Sequence, residues 1–213
     1  HLKRNLHLTI QLLEANVPIL VAMNMMDALH RKGLNLNLEK LEKMLGVDGV
    51  LISARKNEGI DEVIHQLPAL TLKKPFRLYY GVIIETAISQ ILSLLSETPQ
   101  HLDARWIAIQ ALEGNEGIYQ SLSLANEVAI RAIVEETERK IINEKVALSL
   151  KGAIFNKRRE FIHQLYRECM ETIPGFKVET KPKLTKVDRY LTHPIIGTLI
   201  FLVLMFLIYV VTF

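Results

Sequence analysis

Asn24-Met25-Met26-Asp27 and Ser53-Ala54 are the residues of this chain whose types and spacing could do chemistry together. A carboxylate carries two oxygens side by side, so Asp27 can accept from two adjacent N–H donors at once. Guanine offers such a pair in its ring N1–H and exocyclic N2 amine. Adenine has an acceptor at N1 and no amine beside it, so the same carboxylate repels it. Asn24 holds an amide that can reach a purine's N7 edge and brace neighbouring loops. Ala54 is small enough for a turn that aims its backbone N–H at the guanine O6, and Ser53 shapes that turn. Met25 has a polarizable thioether suited to covering a flat aromatic face. Met23 and Met26 read as packing residues. By itself an Asn-x-x-Asp pattern is short enough to arise as a loop Asn and a helix-capping Asp. The surrounding elements decide whether it means more.

Residues 17–23 form an almost wholly apolar run, Val-Pro-Ile-Leu-Val-Ala-Met, the pattern of a strand buried on both faces. It delivers Asn24 at its carboxyl end, where open α/β sheets place ligands. Ahead of it, Leu2, Leu6, Ile10 and Leu13 predict an amphipathic helix over 3–15, stopped at Asn16. After a polar stretch through Gly33, Leu38, Leu41 and Leu45 predict another helix, with Asn37 as N-cap and Gly46 as its stop. Residues 49–52 predict a second buried strand ending in Ser53-Ala54, 26 positions after Asp27, and a helix follows over 59–70. Helix, strand, helix, strand, helix is the alternation of a parallel α/β sheet, here its back half. The order strand, Asn-x-x-Asp, helix, strand, Ser-Ala resembles the fourth and fifth guanine-nucleotide motifs of Ras-like GTPases, many of which carry Lys where Met25 stands. No Gly-x-x-x-x-Gly-Lys-[Ser/Thr] loop is present, and no Asp-x-x-Gly follows a strand. The phosphate cradle, Mg2+ ligands and switch segments are expected before His1, and this stretch alone is expected not to hydrolyse GTP.

Around residues 71–76 the pattern changes. Helical periodicity runs over 78–95, 102–112, 122–148 and 153–173, punctuated by Thr98-Pro99, Gly114, Gly152 and Pro174-Gly175. Trp106 reads as a core anchor of this all-α module, and Glu135, Glu136, Glu138, Arg139 and Lys140 as a solvated face. Of the 26 Lys and Arg and 23 Asp and Glu, the last is Arg189. Residues 195–213 then form a nearly pure apolar tail, predicting a transmembrane helix. Lys177, Lys181, Lys183, Lys186 and Arg189 precede it and orient everything before it towards the cytoplasm. The expected organisation is residues 1–72 as the C-terminal part of a G domain, 73–176 as a helical domain, 177–193 as a basic connector and 194–213 as a first membrane helix. Both ends look cut from a longer protein. A net charge of +3 argues against nucleic acid, and the single Cys169 excludes a disulfide framework. The histidines show no metal-ligand spacing, so no metal site is assigned here.

A GTPase half, an all-α module and a first membrane span in that order resemble the ferrous iron transport protein B family, prokaryotic Fe(II) uptake permeases with a cytoplasmic GTPase. The resemblance rests on Arg4-Asn5-Leu6, on Val21-Ala22-Met23-Asn24-Met25-Met26-Asp27, and on Ser53-Ala54-Arg55-Lys56-Asn57-Glu58-Gly59-Ile60. It continues through Arg105-Trp106-Ile107-Ala108, Leu112-Glu113-Gly114 and the run from Lys186 to Gly197, with Gly114-Asn115-Glu116 standing where Gly-Asp is expected. It implies a Ras-like G domain, a helical domain that stabilises the GDP-bound state, and a polytopic permease in the bacterial inner membrane. Residues 1–193 are then cytoplasmic, GTP or GDP with Mg2+ is the bound nucleotide, and Fe2+ is the transported ion, its site outside these residues. Implied partners are the lipid bilayer, the remaining permease domain of the same chain and small accessory proteins, with no nucleic acid. Two other readings stand beside it: a membrane-anchored regulatory GTPase whose helical domain recruits a partner protein, and a helical scaffold with a degenerate nucleotide fold.

Overall fold

The computed structural model describes residues 2–24, 26–71, 75–95, 102–120, 122–175, 191 and 193–212. Helix α1 (Leu2–Glu14) buries Leu6, Ile10 and Leu13, and Asn16, at φ 60°, turns the chain out of it. Strand β1 (Val21–Met23) pairs in parallel with β3 (Gly49–Leu51), Val21 opposite Gly49 and Met23 opposite Leu51. The strand expected over 17–23 is thus shortened to its last three residues. Between the strands lie α2 (Met26–His30), β2 (Leu34–Leu36) and α3 (Leu38–Leu45). The Asn37 side chain caps α3 by accepting from Lys40 N, and Gly46, at φ 72°, ends it with its N–H on Glu42 O. Helix α4 (Ile60–Gln66) closes this part.

The helical body comprises α5 (Val82–Leu94), α6 (Ala104–Leu112), the single turn α7 (Glu116–Tyr119), α8 (Leu124–Asn143) and α9 (Leu150–Cys169). Its core gathers Ile84, Ile88 and Ile91 of α5, Ala108, Ile109 and Leu112 of α6, and Ile130 and Ile141 of α8. Trp106 is only half-buried, because the buried stripe of α6 is carried by the residues after it. Helix α9 belongs to both bodies. Leu150, Ala153 and Ile154 of its first half enter the helical core. Ile162, Leu165 and Cys169 of its second half join Leu6, Ile10, Val21, Leu41 and Leu45 in the α/β core.

The helix expected over 153–173 ends early, at Cys169, and strand β4 (Met170–Thr172) follows. Pro174 disfavours helical backbone only at Ile173; the earlier stop coincides with residues 170–172 pairing as a strand. β4 pairs antiparallel with β2, Leu34 opposite Thr172 and Leu36 opposite Met170. The exit of the helical body is therefore stitched to the segment that follows the Asn24–Asp27 loop.

Between the two cores sits a buried ionic seam. Arg158 of α9 donates Nη1 to Glu113 Oε1 at 2.6 Å, Nη2 to Glu14 Oε2 at 2.7 Å and to Glu113 Oε2 at 2.8 Å, and Nε to Tyr80 Oη at 3.1 Å. The Tyr80 hydroxyl donates to Glu14 Oε1. Burial, reinforced by the Glu14 charge, pushes the Tyr80 phenol far above its usual range. Beside this seam His7 of α1 stacks on Phe155 of α9, ring centroids 4.6 Å apart.

The apolar tail forms α10 (Ile196–Thr212), 17 residues with side chains exposed along most of its length. At a rise of ~1.5 Å per residue it is about 25 Å long, against a hydrocarbon core of ~30 Å. Among the described residues no helix is long and apolar enough to cross a membrane. The apolar stretch expected as a membrane helix over 194–213 is thus a 17-residue exposed helix among the described residues. The basic connector before it lies outside the described residues.

Candidate functional site

The parallel pairing of β1 with β3 brings the two expected loops together. β1 ends at Met23, and the Met23 carbonyl accepts from Ile52 N at 2.9 Å, so the chain leaves both strands side by side. Asn24 follows at once, and its side-chain Oδ1 accepts from Ala54 N at 3.2 Å. Met25 lies outside the described residues. Met26 is buried at the start of α2, and its N–H reaches Ile52 O. Asp27 stands in the first turn of α2, where the helix N-terminus favours negative charge. Its Oδ1 accepts from Ser53 Oγ at 3.3 Å, and its Oδ2 pairs with Arg31 Nη2 at 3.2 Å.

The second loop is a tight turn with Ser53 as its anchor. Ser53 N donates to Glu58 O at 3.0 Å, Glu58 N returns to Ser53 O at 3.2 Å, and Lys56 N also bonds Ser53 O. Gly59 closes the turn at φ 76°, and a Cβ there would lie 2.4 Å from Leu51 O, so only glycine fits. Ser53 is buried and Ala54 exposed. The turn thus fixes a hydroxyl on Asp27 and presents a small residue outward. The Ala54 N–H, expected to face a base oxygen, is engaged by Asn24; the bracing expected of Asn24 takes this form. Two participants were not among the expected residues. Arg31 has a signal in its i, i+4 spacing from Asp27. Glu58 bonds through its backbone, which no side-chain pattern reveals.

A cleft of about 890 Å³ opens beside the first loop, walled by α1, β1, α2 and β2 and including Asn24 and Met26. Asp27, Ser53 and Ala54 are not in its lining. Among the described residues no three His, Cys, Asp or Glu converge to hold a metal ion.

Fold and loops together define a class: part of a G domain's α/β sheet, carrying an all-helical domain behind it. A family model described as ferrous iron transport protein B matches residues 1–67, and one described as the FeoB cytosolic helical domain matches residues 80–171. The chain belongs to the ferrous iron transport protein B family. It is 30% identical to the Fe(2+) transporter FeoB of Staphylococcus aureus over 217 residues, covering all of this chain and 32% of that protein. It is 29% identical to a Fe(2+) transport protein A/Fe(2+) transporter FeoB fusion protein of Porphyromonas gingivalis, covering all of this chain and 26% of that one. The chain thus spans about a quarter to a third of these relatives. Among solved structures it is similar to a mutant of S. thermophilus NFeoB bound to GDP, with 32% identity and TM-score 0.70, over 80% of this chain and 65% of that one. NFeoB from S. thermophilus bound to GDP.AlF4- and K+ gives TM-score 0.69 at 32% identity, over 78% of this chain and 65% of that one.

Proposed function

We propose that this chain is the base-recognising and coupling part of a GTP-binding ferrous iron transporter of the bacterial inner membrane. One observation carries the reading: β1 and β3 set Asn24 and Asp27 directly against Ser53 and Ala54, with Ser53 Oγ donating to the Asp27 carboxylate and the Ala54 backbone N–H to Asn24 Oδ1. In this reading Asp27 accepts guanine's N1–H and N2–H, Ser53 holds the carboxylate, and Asn24 fixes the second loop. Ala54 N–H turns towards O6 as the base enters, and Met25 covers one ring face. The family supports iron transport, and the S. aureus relative carries the name Fe(2+) transporter. The P. gingivalis fusion supports a small accessory protein as partner.

In the same proposal α10 enters the bilayer as a first membrane helix, with residues 1–193 on the cytoplasmic side because Lys177, Lys181, Lys183, Lys186 and Arg189 precede it. Nucleotide state reaches that helix through the β2–β4 pairing and α9, which join the base loop to the chain leading towards it.

The test is Asp27→Asn in the full-length protein. An amide replaces one acceptor by a donor, matching xanthine's C2 carbonyl instead of guanine's amine. GDP affinity should fall roughly ten- to hundredfold, and XDP affinity should rise. Unchanged GDP affinity in an equilibrium titration would sink the assignment.

A further inference from the structure

The Asp27 carboxylate has two protein partners on two different oxygens. Ser53 Oγ donates to Oδ1 at 3.3 Å and Arg31 Nη2 to Oδ2 at 3.2 Å. Arg31 lies one turn after Asp27, its own N–H on Asp27 O at 3.2 Å, so helical backbone fixes the origin of its side chain. The carboxylate is 10% exposed and the arginine 60% exposed. The anchor is thus inside and its partner reaches in from solvent.

An ionised carboxylate offers roughly four lone-pair sites, two per oxygen. Ser53 uses one on Oδ1 and Arg31 one on Oδ2. One site then remains on each oxygen. That is the acceptor pattern for a ligand with two adjacent donors, and both donors are served only if the carboxylate plane stays fixed. A single restraint on one oxygen leaves the group free to swing about its Cβ–Cγ bond. Restraints on both oxygens hold the plane.

We propose that Arg31 is a positioning residue for base specificity, bracketing the Asp27 carboxylate with Ser53 so that both oxygens meet a two-donor guanine edge. The inference rests on the base-pocket reading given above. It makes a distinction that a general charge effect does not. Hypoxanthine keeps N1–H and lacks the N2 amine, so it makes one of the two bonds and is less sensitive to the carboxylate plane. An arginine that merely attracted the phosphates would act on both nucleotides alike.

The experiment titrates the full-length protein with GDP and IDP, as wild type, Arg31→Ala and Arg31→Lys, with melting temperature recorded for each. Arg31→Ala should weaken GDP roughly threefold, the scale of a partly exposed ion pair, and IDP less, so that the GDP preference contracts. Arg31→Lys keeps the charge and a donor and should retain most of the preference. Equal weakening of both nucleotides, or none, at unchanged melting temperature overturns the positioning role while leaving the pocket intact. A wild type that binds GDP and IDP equally overturns the pocket reading, and this inference with it.

Discussion

Two regions of this molecule hold a carboxylate with the same donor chemistry in opposite surroundings. Asp27 is bonded by a hydroxyl, that of Ser53, and by a guanidinium, that of Arg31. Glu14 is bonded by a hydroxyl, that of Tyr80, and by a guanidinium, that of Arg158. The difference is burial. The Arg158 and Glu14 side chains are both 2% exposed, whereas Arg31 is 60% exposed. At the seam a second carboxylate, Glu113, takes further donors of Arg158, so the guanidinium is almost fully committed. At the loop the arginine stays wet and each carboxylate oxygen keeps capacity for one more donor. Donor chemistry alone thus does not separate a closed clamp from a carboxylate that can still take a ligand. Saturation and access to solvent do.

The largest effect should follow from breaking the clamp. Arg158→Met leaves Glu14 and Glu113 as neighbouring carboxylates with no cation between them. Loss of one member of a buried ion pair costs ~3–5 kcal/mol. Urea unfolding of the α/β and helical bodies, within the full-length protein, should show a loss of that order. Combining Arg158→Met with Glu14→Gln should recover part of it, because one stranded charge is gone. Asp27→Asn is the converse. It should change nucleotide choice sharply and stability by no more than about 1 kcal/mol, since its charged partner Arg31 reaches water and the amide still accepts from Ser53. If Asp27→Asn unfolded the protein as readily as Arg158→Met, the contrast between the regions would collapse.

The sequence exposed these two regions unequally. That Asn24 and Asp27 meet Ser53 and Ala54 was legible from type and spacing, because both pairs follow strands that lie side by side in a parallel sheet. Asn37 and Gly46 were legible as caps from local sequence, and both cap α3. The seam was not legible. Glu14, Tyr80, Glu113 and Arg158 come from four separate segments, and Arg158 sits in an Arg-rich stretch of α9 that reads as an ordinary solvated face. Only α9's membership of both cores makes that position internal. β4 was hidden too. Met170-Glu171-Thr172 has no strand signature of its own, and its partner β2 lies more than a hundred residues earlier.

A smaller effect should appear as pH dependence. Burial, with Arg158 and Arg159 nearby, lowers the His7 pKa below its ordinary value. A depressed folded-state pKa means that the unfolded chain binds the proton more readily. Stability is then complete above the unfolded value near ~6.5 and declines as pH falls through the lower folded value. His7→Phe keeps a ring against Phe155 and removes the titration. Stability of that variant should be flat across the same window. A second decline belongs at lower pH. Burial works against ionisation of Glu85, but its bonds to Arg105 and to Tyr80 N hold its carboxyl below the usual range. Its contribution is present above the ordinary carboxylate range and is lost as pH falls through the depressed value. Glu85→Gln should reduce that acid limb while leaving the His7 limb in place. Asp103 continues to supply part of it, because its burial is likewise outweighed by Arg77, which holds its carboxyl below the usual range.

The smallest effect tests the contact that ties β4 to α3. Glu171 Oε1 accepts from Lys40 Nζ at 2.8 Å and from Asn37 Nδ2 at 2.9 Å. The two donors are not equivalent. Lys40 is a flexible cation in solvent, where holding a long side chain in one geometry cancels most of the attraction. Asn37 is the α3 cap, and donating its Nδ2 to Glu171 fixes the amide so that Oδ1 faces Lys40 N, 3.1 Å away. Asn37→Ala should therefore cost ~1 kcal/mol, the usual value of a lost N-cap. Lys40→Ala should leave the urea midpoint within error at ordinary salt. Raising salt should not change that ranking, because the cap is a short-range hydrogen bond while the Lys40 pair is screened. If Lys40→Ala destabilised as much as Asn37→Ala, the β4–α3 contact would behave as a second clamp, and burial would no longer be what separates the Arg158 seam from the surface.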